Sequence, residues 1–337
     1  MNKGFTLIEL LAVIVILAII LVISVPQINN VITDSKMKSF ESDAKIILSQ
    51  LDIKSINKNT DITTINETNI ESILGIKDDN YDEVIINNNS LDISISIVGK
   101  NKWEGLAVYG TYDDIKVATL PTGLVGEWKL NGNANDSSEN NSNGVVYSAT
   151  LTTDNKNKSN SAYSFDGIND YISIPYSSFH APTDKISYGI WVYKDDWSIL
   201  YGAPRAMFSK TEVGGYNCNV DIEGGPGYLA CILQLNGSYK YAKTSYLTFT
   251  PGWHFVMCTY DGRYIKLYVD GILKDTNDMG TTYPIQYMYN NNLFIGCDAG
   301  YSTTQGGLFF VGKLDNAMVY NKTLTDDEIK LLYNIKK

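Results

Sequence analysis

Closely spaced carboxylates are the first feature of this sequence that could do chemistry. A retaining glycoside hydrolase needs two carboxyl groups about 5 Å apart, and alternate positions on one strand can supply them. Asp221 and Glu223 have this alternation, but the glycine- and proline-rich run 224–227 ends the strand at once. The other glutamates of the C-terminal region are scattered through turn-rich segments, at Glu127, Glu139, Glu212 and Glu328. We therefore interpret Asp221 and Glu223 as the polar face of a hairpin.

Histidine and glycine patterns also argue against catalysis. His180 and His254 are the only histidines of the chain. Few residues could therefore serve as the histidine base that activates a nucleophile. The glycine clusters at 224–227 and 306–307 lack the Gly-Lys-Ser/Thr that follows in a phosphate-binding loop. The sequence therefore predicts no catalytic residue and no enzymatic activity.

The charge of the chain is unevenly distributed. The 337 residues carry a net charge of −10, but residues 1–56 contain as many acidic as basic side chains, so the whole excess lies beyond residue 56. An acidic surface repels phosphate backbones, which argues against a nucleic-acid partner. It suits a secreted surface that stays soluble and collects divalent cations.

The N-terminus has the length and polarity of a membrane segment. A leader with one Lys (Lys3) ends at Gly4, and an apolar run follows over residues 5–25. As a helix this run is roughly 31 Å long, close to the hydrocarbon thickness of a bilayer. Its one charged residue is Glu9, and the run contains no basic residue. A carboxylate at membrane depth is costly, so its presence predicts compensation within an assembly.

These residues resemble the N-terminus of type IV prepilins, in which a basic leader and Gly precede Phe-Thr-Leu-Ile-Glu, as at Gly4, Phe5 and Glu9 here. The resemblance implies cleavage between Gly4 and Phe5 by a prepilin peptidase and N-methylation of Phe5. It also implies that the helix lies first in the cytoplasmic membrane and then among other pilin subunits in a filament, with Glu9 acting in assembly. The alternative is a plain single-pass transmembrane anchor, although the apolar region follows the cleavage site, unlike that of a secretory signal peptide.

The next hundred residues read as a helix extension and a small sheet. Pro26 predicts a kink or break, after which apolar residues recur at helical spacing to about Ser55. A short helix at 70–74 is stopped by Gly75. Period-two alternation then predicts a hairpin over 84–98 and strands at 103–109 and 115–119. A long helix on a small antiparallel sheet is an α+β arrangement similar to a pilin head. The predicted divisions are a leader (1–4), a transmembrane or filament-core helix (5–25), the helix extension and β head (26–118) and a linker (119–123).

From residue 124 to 337 the pattern becomes all-β. Residues 264–269 alternate between Asp-Gly pairs at 261–262 and 270–271, which mark tight hairpin turns. Ile265, Leu267 and Val269 should face the core, with Tyr264, Lys266 and Tyr268 on the other side of the strand. Short strands with many turns, and no convincing helix before the last dozen residues, predict a sandwich or jelly roll.

Motifs in this region resemble a concanavalin A-like, laminin G-type domain in their order along the chain. They are LVGEWKLNG at 124–132, NDSS at 135–138, SFDG at 164–167, DYI at 170–172, WH at 253–254, YDG at 260–262, LYVDG at 267–271, GKLD at 312–315, VYN at 319–321 and LTDDEI at 324–329. The resemblance implies a lectin-like jelly-roll sandwich. It does not name a ligand, because one fold hosts many functions.

The same resemblance implies a structural calcium ion (Ca²⁺) near the junction of the first and last strands. Carried over to this sequence, its ligands would be Asp136, Asn143 and Asp315. Hard oxygen donors without sulfur or imidazole suit this ion. The alternative is that Asp136 caps a turn and Asp315 makes a buried hydrogen bond.

Cysteine usage leaves two alternatives open. All four cysteines lie in the C-terminal region, which is extracellular if the prepilin resemblance holds, and four cysteines allow three pairings. One alternative pairs Cys218 with Cys231 across a hairpin and Cys258 with Cys297 between strands. The other is four buried thiols that act as small hydrophobic side chains.

Tyrosine is the main sign of a binding surface. The chain has 24 tyrosines, and a tyrosine offers a flat apolar face with a polar rim that suits sugar rings and protein partners. The ligand-binding candidates are Tyr201, Tyr216, Tyr228, Tyr264, Tyr268 and Tyr301. For any one of them, packing between loops is the alternative.

Together these patterns predict a type IV pilus subunit, minor or located at the tip, whose lectin-like domain adheres to glycans or surface proteins. The precursor should reside in the cytoplasmic membrane and the mature protein in an extracellular pilus. A pseudopilin of a secretion or DNA-uptake system that binds a protein cargo is the rival hypothesis. A glycan-degrading enzyme is the third.

Overall fold

A computed structural model describes residues 7–56, 61–89, 92–198, 205–210, 215–220, 227–287, 289–298 and 308–337. The chain divides into two compact units, Met1–Leu120 and Pro121–Lys337, the second of which we call the sandwich. Gly4, Phe5, Tyr201 and Tyr301 lie outside the described residues, as do Glu212 and the pair Asp221 and Glu223.

Helix α1 spans Leu7–Ile56. Its N-terminal part exposes leucine, isoleucine and valine side chains, whereas its C-terminal part buries one face. The buried side chains recur every three or four residues, which places them on one stripe of the helix: Phe40, Ala44, Ile47, Leu48 and Leu51. The helix continues through Pro26, so the predicted break does not occur there. Proline removes only one hydrogen bond, and the turns on both sides keep theirs.

No helix in the described ranges combines the length and hydropathy of a membrane span. The transmembrane role of residues 5–25 therefore stays a prediction from the sequence.

The first unit packs α1 against a four-stranded antiparallel sheet in the order β1-β2-β3-β4. Its other elements are α2 (Ile70–Leu74), β1 (Tyr81–Asn89), β2 (Asp92–Gly99), β3 (Leu106–Thr111) and β4 (Ile115–Thr119). Gly75 ends α2 with a φ of 70°, as predicted. Trp103 lies in a 3-10 turn rather than in a strand, and its ring stacks on Phe40 of the helix, with ring centroids 4.9 Å apart.

In the part of the chain that the structure describes, the sandwich has two antiparallel sheets and the α-helix α3. An eight-stranded sheet has the order β17-β16-β15-β10-β19-β8-β7, with β5 also paired to β19, and a seven-stranded sheet has the order β14-β13-β12-β11-β18-β9-β6. The bounds are β5 (Leu124–Trp128), β6 (Val145–Tyr147), β7 (Thr150–Thr152), β8 (Ala162–Asp166), β9 (Tyr171–Ile174), β10 (Ile186–Lys194), β11 (Arg205–Lys210), β12 (Tyr216–Val220), β13 (Tyr228–Leu235), β14 (Ser238–Ser245), β15 (Gly252–Tyr260), β16 (Tyr264–Val269), β17 (Ile272–Asp278), β18 (Leu293–Ile295), β19 (Val311–Tyr320) and α3 (Asp326–Lys336).

The core of the sandwich lies between the inward faces of the two sheets. Ile265, Leu267 and Val269 face it, as the alternation of β16 predicts. On the opposite face of the eight-stranded sheet, Tyr333 of α3 stacks on Trp191, with ring centroids 5.8 Å apart. A reciprocal capping box between Thr325 and Glu328 begins α3. The predicted all-β sandwich with a terminal helix is confirmed.

The disulfide differs from the predicted pairing. Cys231 of β13 is bonded to Cys258 of β15, with Cα atoms 5.7 Å apart, while Cys218 and Cys297 are buried thiols outside it. Cys218 and Cys231 are direct cross-strand neighbours, so their side chains leave the sheet side by side. Cys258 instead approaches Cys231 from the opposite sheet. Cys297 packs in a separate cluster with Phe294, which keeps it from Cys258. The predicted pairs Cys218–Cys231 and Cys258–Cys297 are therefore wrong.

Candidate functional site

The residue predicted to act in assembly lies at the start of the long helix. Glu9 is in the first turn of α1, where a carboxylate is favoured by the helix dipole. The apolar side chains that follow it, such as Leu11 and Ile14, are exposed. A helix that exposes an apolar surface of this kind needs partners to cover it.

Asp136, the first predicted calcium ligand, holds a loop together through its carboxylate. Its Oδ1 accepts hydrogen bonds from the backbone N–H groups of Glu127 (3.0 Å) and Ser138 (2.8 Å). Its Oδ2 accepts from the Ser138 hydroxyl and from the backbone N–H of Ser142, both at 2.9 Å. Asn143 joins the same loop, because its Oδ1 accepts from the backbone N–H of Asp136 at 3.0 Å. A cation bound here would have to share the side-chain oxygens of Asp136 and Asn143 with the groups that already donate hydrogen bonds to them.

Asp315, the third predicted ligand, is buried in the middle of β19. Its two oxygens accept from the backbone N–H of Asn316 (2.8 Å) and from its side-chain amide (3.2 Å). Burial is the main reason that the pKa of Asp315 is raised to about 8. The charge of Lys156 lowers this pKa, and the charge of Asp154 raises it. Within the described residues, no group of three or more His, Cys, Asp or Glu side chains could hold a metal ion. Calcium at these residues stays a prediction.

The candidate tyrosines fall into two groups. Tyr228 and Tyr264 are half-buried, and cations lie over their rings, with Lys243 Nζ 4.5 Å from the first centroid and Arg263 Cζ 4.9 Å from the second. Both side chains remain reachable from solvent.

Tyr216 and Tyr268 are buried, so the prediction that they line an exposed surface does not hold. Tyr216 points into the core, and its hydroxyl donates to the carbonyl oxygen of His180 at 3.1 Å. Tyr268 lies on the face of β16 that the sequence predicts, but α3 covers that face, and its hydroxyl donates to Asp326 Oδ1 at 2.7 Å.

The two histidines occupy structural positions. His254 Nδ1 lies 2.7 Å from Asp270 Oδ2, and its Nε2 lies 3.0 Å from the carbonyl oxygen of Thr250. Burial disfavours the imidazolium, but the hydrogen bonds with Asp270 and Thr250 outweigh it and raise the pKa of His254. His180 packs edge-on against Trp128, and burial, followed by the charge of Lys210, lowers its pKa to about 4. These contacts fit packing roles.

The sandwich contains a cleft of ≈ 760 Å³ that no pattern in the sequence predicts. Three segments form it: the loop between β9 and β10, the β13–β14 hairpin, and the connection between β17 and β18. We call it the Gln234 cleft, and its lining residues are Tyr176, Ala181, Thr183, Gln234, Gly237, Ile285, Gln286 and Tyr287.

Direct hydrogen bonds join the three segments. The Gln286 backbone N–H donates to the Gln234 carbonyl (3.0 Å), and the Ile285 N–H donates to the Thr183 carbonyl (2.7 Å). The Gly237 N–H donates to Gln286 Oε1 at 2.6 Å. Asn236 and Gly237 both have positive φ, 49° and 76°, as a two-residue hairpin turn requires. The Asn-Gly pair is the local signal that could have located this hairpin.

Two side chains give the Gln234 cleft its chemistry. Gln234 is 8% exposed, and its side-chain Oε1 is buried without a hydrogen-bond partner. Tyr176 is 39% exposed, and Lys210 Nζ lies 4.7 Å from its ring centroid. Lys210 also donates to the carbonyl oxygen of Asn291 at 2.7 Å, and burial lowers its pKa to about 8. Nothing local in the sequence links Tyr176 to Gln234, because only the fold brings these segments together.

Comparison with known families identifies both ends of the chain. Residues 1–25 match the prokaryotic N-terminal methylation motif, and residues 166–330 match the concanavalin A-like lectin/glucanases superfamily. The chain therefore carries a type IV pilin-like N-terminus and a concanavalin A-like domain. No match was found among curated proteins.

Solved structures similar to the chain include binding domains of bacterial toxins. The botulinum neurotoxin serotype D binding domain is 18% identical, with a TM-score of 0.47, over 63% of this chain and 50% of that chain. The binding domain of Paraclostridial Mosquitocidal Protein 1 is 15% identical, with a TM-score of 0.49, over 63% of this chain and 52% of that chain. The match thus spans about half the length of these structures.

Proposed function

We propose that this protein is a type IV pilus subunit that displays the sandwich for adhesion to glycans or surface proteins. The observation that carries the proposal is the presence, in one chain, of an N-terminal methylation motif and a concanavalin A-like domain. The motif supports membrane insertion, processing by a prepilin peptidase and assembly with other pilin subunits. The domain supports binding outside the cell.

The size of the sandwich favours a minor or tip-located subunit. Pro121–Lys337 is nearly two thirds of the chain and forms a compact unit of its own. In a filament shaft the pilin helices pack at short repeats, so an added unit of this size in every subunit would crowd its neighbours. Low-copy incorporation, or a place at the tip, avoids this crowding.

Immunogold electron microscopy tests the location. Antibodies raised against residues 121–337 should label fibres that extend from the cell, sparsely along the shaft or at the tip. A strain that lacks residues 121–337 controls for antibody specificity. Label confined to the cell envelope would contradict a pilus subunit and favour the pseudopilin hypothesis.

A further inference from the structure

We propose that the sandwich contains an internal exchange partner for its own disulfide. When the sandwich loosens, the sulfur of Cys218 attacks the sulfur of Cys231. The bond between the two sheets is thereby replaced by a bond between the neighbouring strands β12 and β13. This exchange is a conformational device of the fold, and it depends neither on the ligand of the sandwich nor on the location of the protein.

Cys218 is the cysteine that lies beside the disulfide. All four cysteines belong to the described residues. Cys218 and Cys231 are directly opposite each other on β12 and β13. Residues in such a pair have Cα atoms about 4.5–5.5 Å apart, which a disulfide can span. Cys297 instead packs with Phe294 in a different hydrophobic cluster. The new bond therefore requires no change in strand pairing.

The closed sandwich keeps the Cys218 thiol unreactive. Cys218, Cys231 and Cys258 are all fully buried in one core cluster. On the far sides of the first two, Phe208 pairs with Cys218 and Ala242 pairs with Cys231. Burial raises the pKa of the Cys218 thiol far above its ordinary value. Because the thiolate is the attacking species, the bond between the sheets persists while the core stays closed.

Tyr188 holds the two sheets together beside the same bond. It pairs with Cys258 in the eight-stranded sheet. Its hydroxyl reaches across the core and donates to the carbonyl oxygens of Asn217 (3.0 Å) and Ile232 (3.3 Å). These carbonyls belong to β12 and β13, each next to the cysteine of its strand. Separation of the sheets breaks these hydrogen bonds, admits water and lowers the cost of ionising the buried thiol.

The exchange conserves atoms, electrons and protons. Cys218 Sγ loses its proton to water and forms a bond to Cys231 Sγ. The bond between Cys231 and Cys258 breaks, its electron pair stays on Cys258 Sγ, and this sulfur takes up a proton. One disulfide and one thiol are present before and after the step, so no oxidant or reductant takes part.

The product lacks a covalent link between the two sheets. The bond between Cys231 and Cys258 closes a loop of 27 residues. The loop between Cys218 and Cys231 is shorter, so closing it costs less entropy in a loosened chain. Loosening therefore favours the new bond, which no longer joins the sheets. A sandwich that a pulling force has opened once should unfold more easily the next time.

The test is thiol mapping of the full-length protein, purified in detergent without reductant. The protein is held at pH 8 in graded urea up to its unfolding midpoint, quenched in acid, and alkylated under denaturing conditions before digestion. In native buffer we expect the linked pair Cys231–Cys258. With rising urea a Cys218–Cys231 peptide should replace it and Cys258 should become alkylated, while the number of thiols per chain stays constant.

Three variants separate exchange from unfolding. Cys218→Ala should keep the Cys231–Cys258 pair at every urea concentration. Cys297→Ala removes another buried thiol, is the matched control, and should exchange at the wild-type rate. Tyr188→Phe should speed the exchange about fivefold at equal urea, the effect of one net hydrogen bond on the opening equilibrium. Melting temperatures identify any variant that fails to fold.

The distribution of linked pairs decides the outcome, even if Cys218→Ala does not fold. Cys218–Cys231 should form at least about tenfold faster than any pair containing Cys297, more than loop length alone gives in an unfolded chain. Equal rates would indicate random re-pairing and overturn the proposal. A Cys218–Cys258 peptide would overturn attack at Cys231. An alkylated Cys218 beside an intact Cys231–Cys258 pair throughout the urea series would overturn the exchange itself.

Discussion

At the scale of single residues, Asp315 is an unusual core side chain. A buried carboxylate is stable only when it is protonated, paired or bound to a cation. Asp315 lies within the electrostatic reach of Asp154, and its hydrogen-bond donors come from Asn316. Burial and the like charge favour the neutral acid in the absence of a cation. A bound calcium ion would instead stabilise the carboxylate. Removal of calcium should therefore change the stability of the folded protein, which the melting temperature measures.

We predict that calcium stabilises the full-length protein. At a free concentration about 100 times its Kd, an ion that binds only the folded state adds about 2.7 kcal/mol. Calcium should therefore raise the melting temperature and a chelator should lower it, and Asp315→Asn should abolish the response. Asp278→Asn, which breaks the exposed ion pair with Arg263, is the matched control and should keep the response. A melting temperature that does not change when the chelator is added would refute the calcium site.

His254 predicts a pH dependence of stability. Its folded-state pKa lies above the ordinary value of 6.5 despite burial, because Asp270 and Thr250 accept its hydrogen bonds. Below pH 6.5 the imidazole is protonated in both states and its contribution to stability is complete. As the pH rises through the folded-state pKa, that contribution is lost.

Denaturant unfolding between pH 5.5 and 8.5 measures this effect. The difference in free energy of unfolding between the wild-type protein and His254→Gln should be largest at the acidic end and shrink as the pH rises. Taking the difference removes the titration of other groups. A difference that grows with pH would contradict the assigned hydrogen bonds.

At the scale of secondary-structure elements, the disulfide links the two sheets of the sandwich. Cys231 lies on β13 of the seven-stranded sheet and Cys258 on β15 of the eight-stranded sheet. The bond closes a loop of 27 residues. In the chain-entropy account, such a loop restricts the unfolded state and stabilises the fold by about 3–4 kcal/mol.

We expect the double variant Cys231→Ala/Cys258→Ala to lose about 3 kcal/mol of unfolding free energy. Cys218→Ala is the control, because it removes a buried thiol without opening a bond and should cost only about 1 kcal/mol. Peptide mapping without reductant should recover one linked pair, Cys231 with Cys258. A Cys218–Cys231 peptide would show that the assigned pairing is wrong.

The elements also show what local sequence can predict. Alternation and the flanking Asp-Gly turns predicted β16 and its core face, because strand periodicity is a property of neighbouring residues. The same pattern could not reveal that α3 covers Tyr268, since the helix reaches that face only in the folded chain. The disulfide and the Gln234 cleft were missed for the same reason. Tyr176 lies in the loop between β9 and β10 and Gln234 lies on β13, and only the sheet topology brings them together.

At the scale of the whole molecule, we propose different roles for the N-terminal helix and the sandwich. In the proposed function, the N-terminal region serves membrane insertion, processing and assembly, whereas the sandwich carries the cleft and the exposed tyrosines. In a filament, the N-terminal amine of Phe5 on a neighbouring subunit is a candidate partner for Glu9. Such a pair in an apolar core would set the axial register of the helices.

Glu9→Val tests the assembly role. The variant should insert into the membrane as the wild type does but enter pili poorly, since removal of one partner of a buried pair costs about 3–5 kcal/mol. The measurement is the ratio of protein in sheared pili to protein in the membrane fraction. Glu41→Gln, which breaks an exposed ion pair with Lys45 on the same helix, is the control. Normal incorporation of Glu9→Val would refute this role.

The adhesion of isolated pili tests the central claim most directly. Pili sheared from cells that express the full chain, and from cells whose chain ends before residue 121, are applied in equal amounts to a surface of immobilised neutral and anionic glycans. We predict that pili with the sandwich attach to glycans on this surface and that pili without it do not. Equal attachment of both preparations, or attachment of neither to any glycan or host cell surface, would contradict the account.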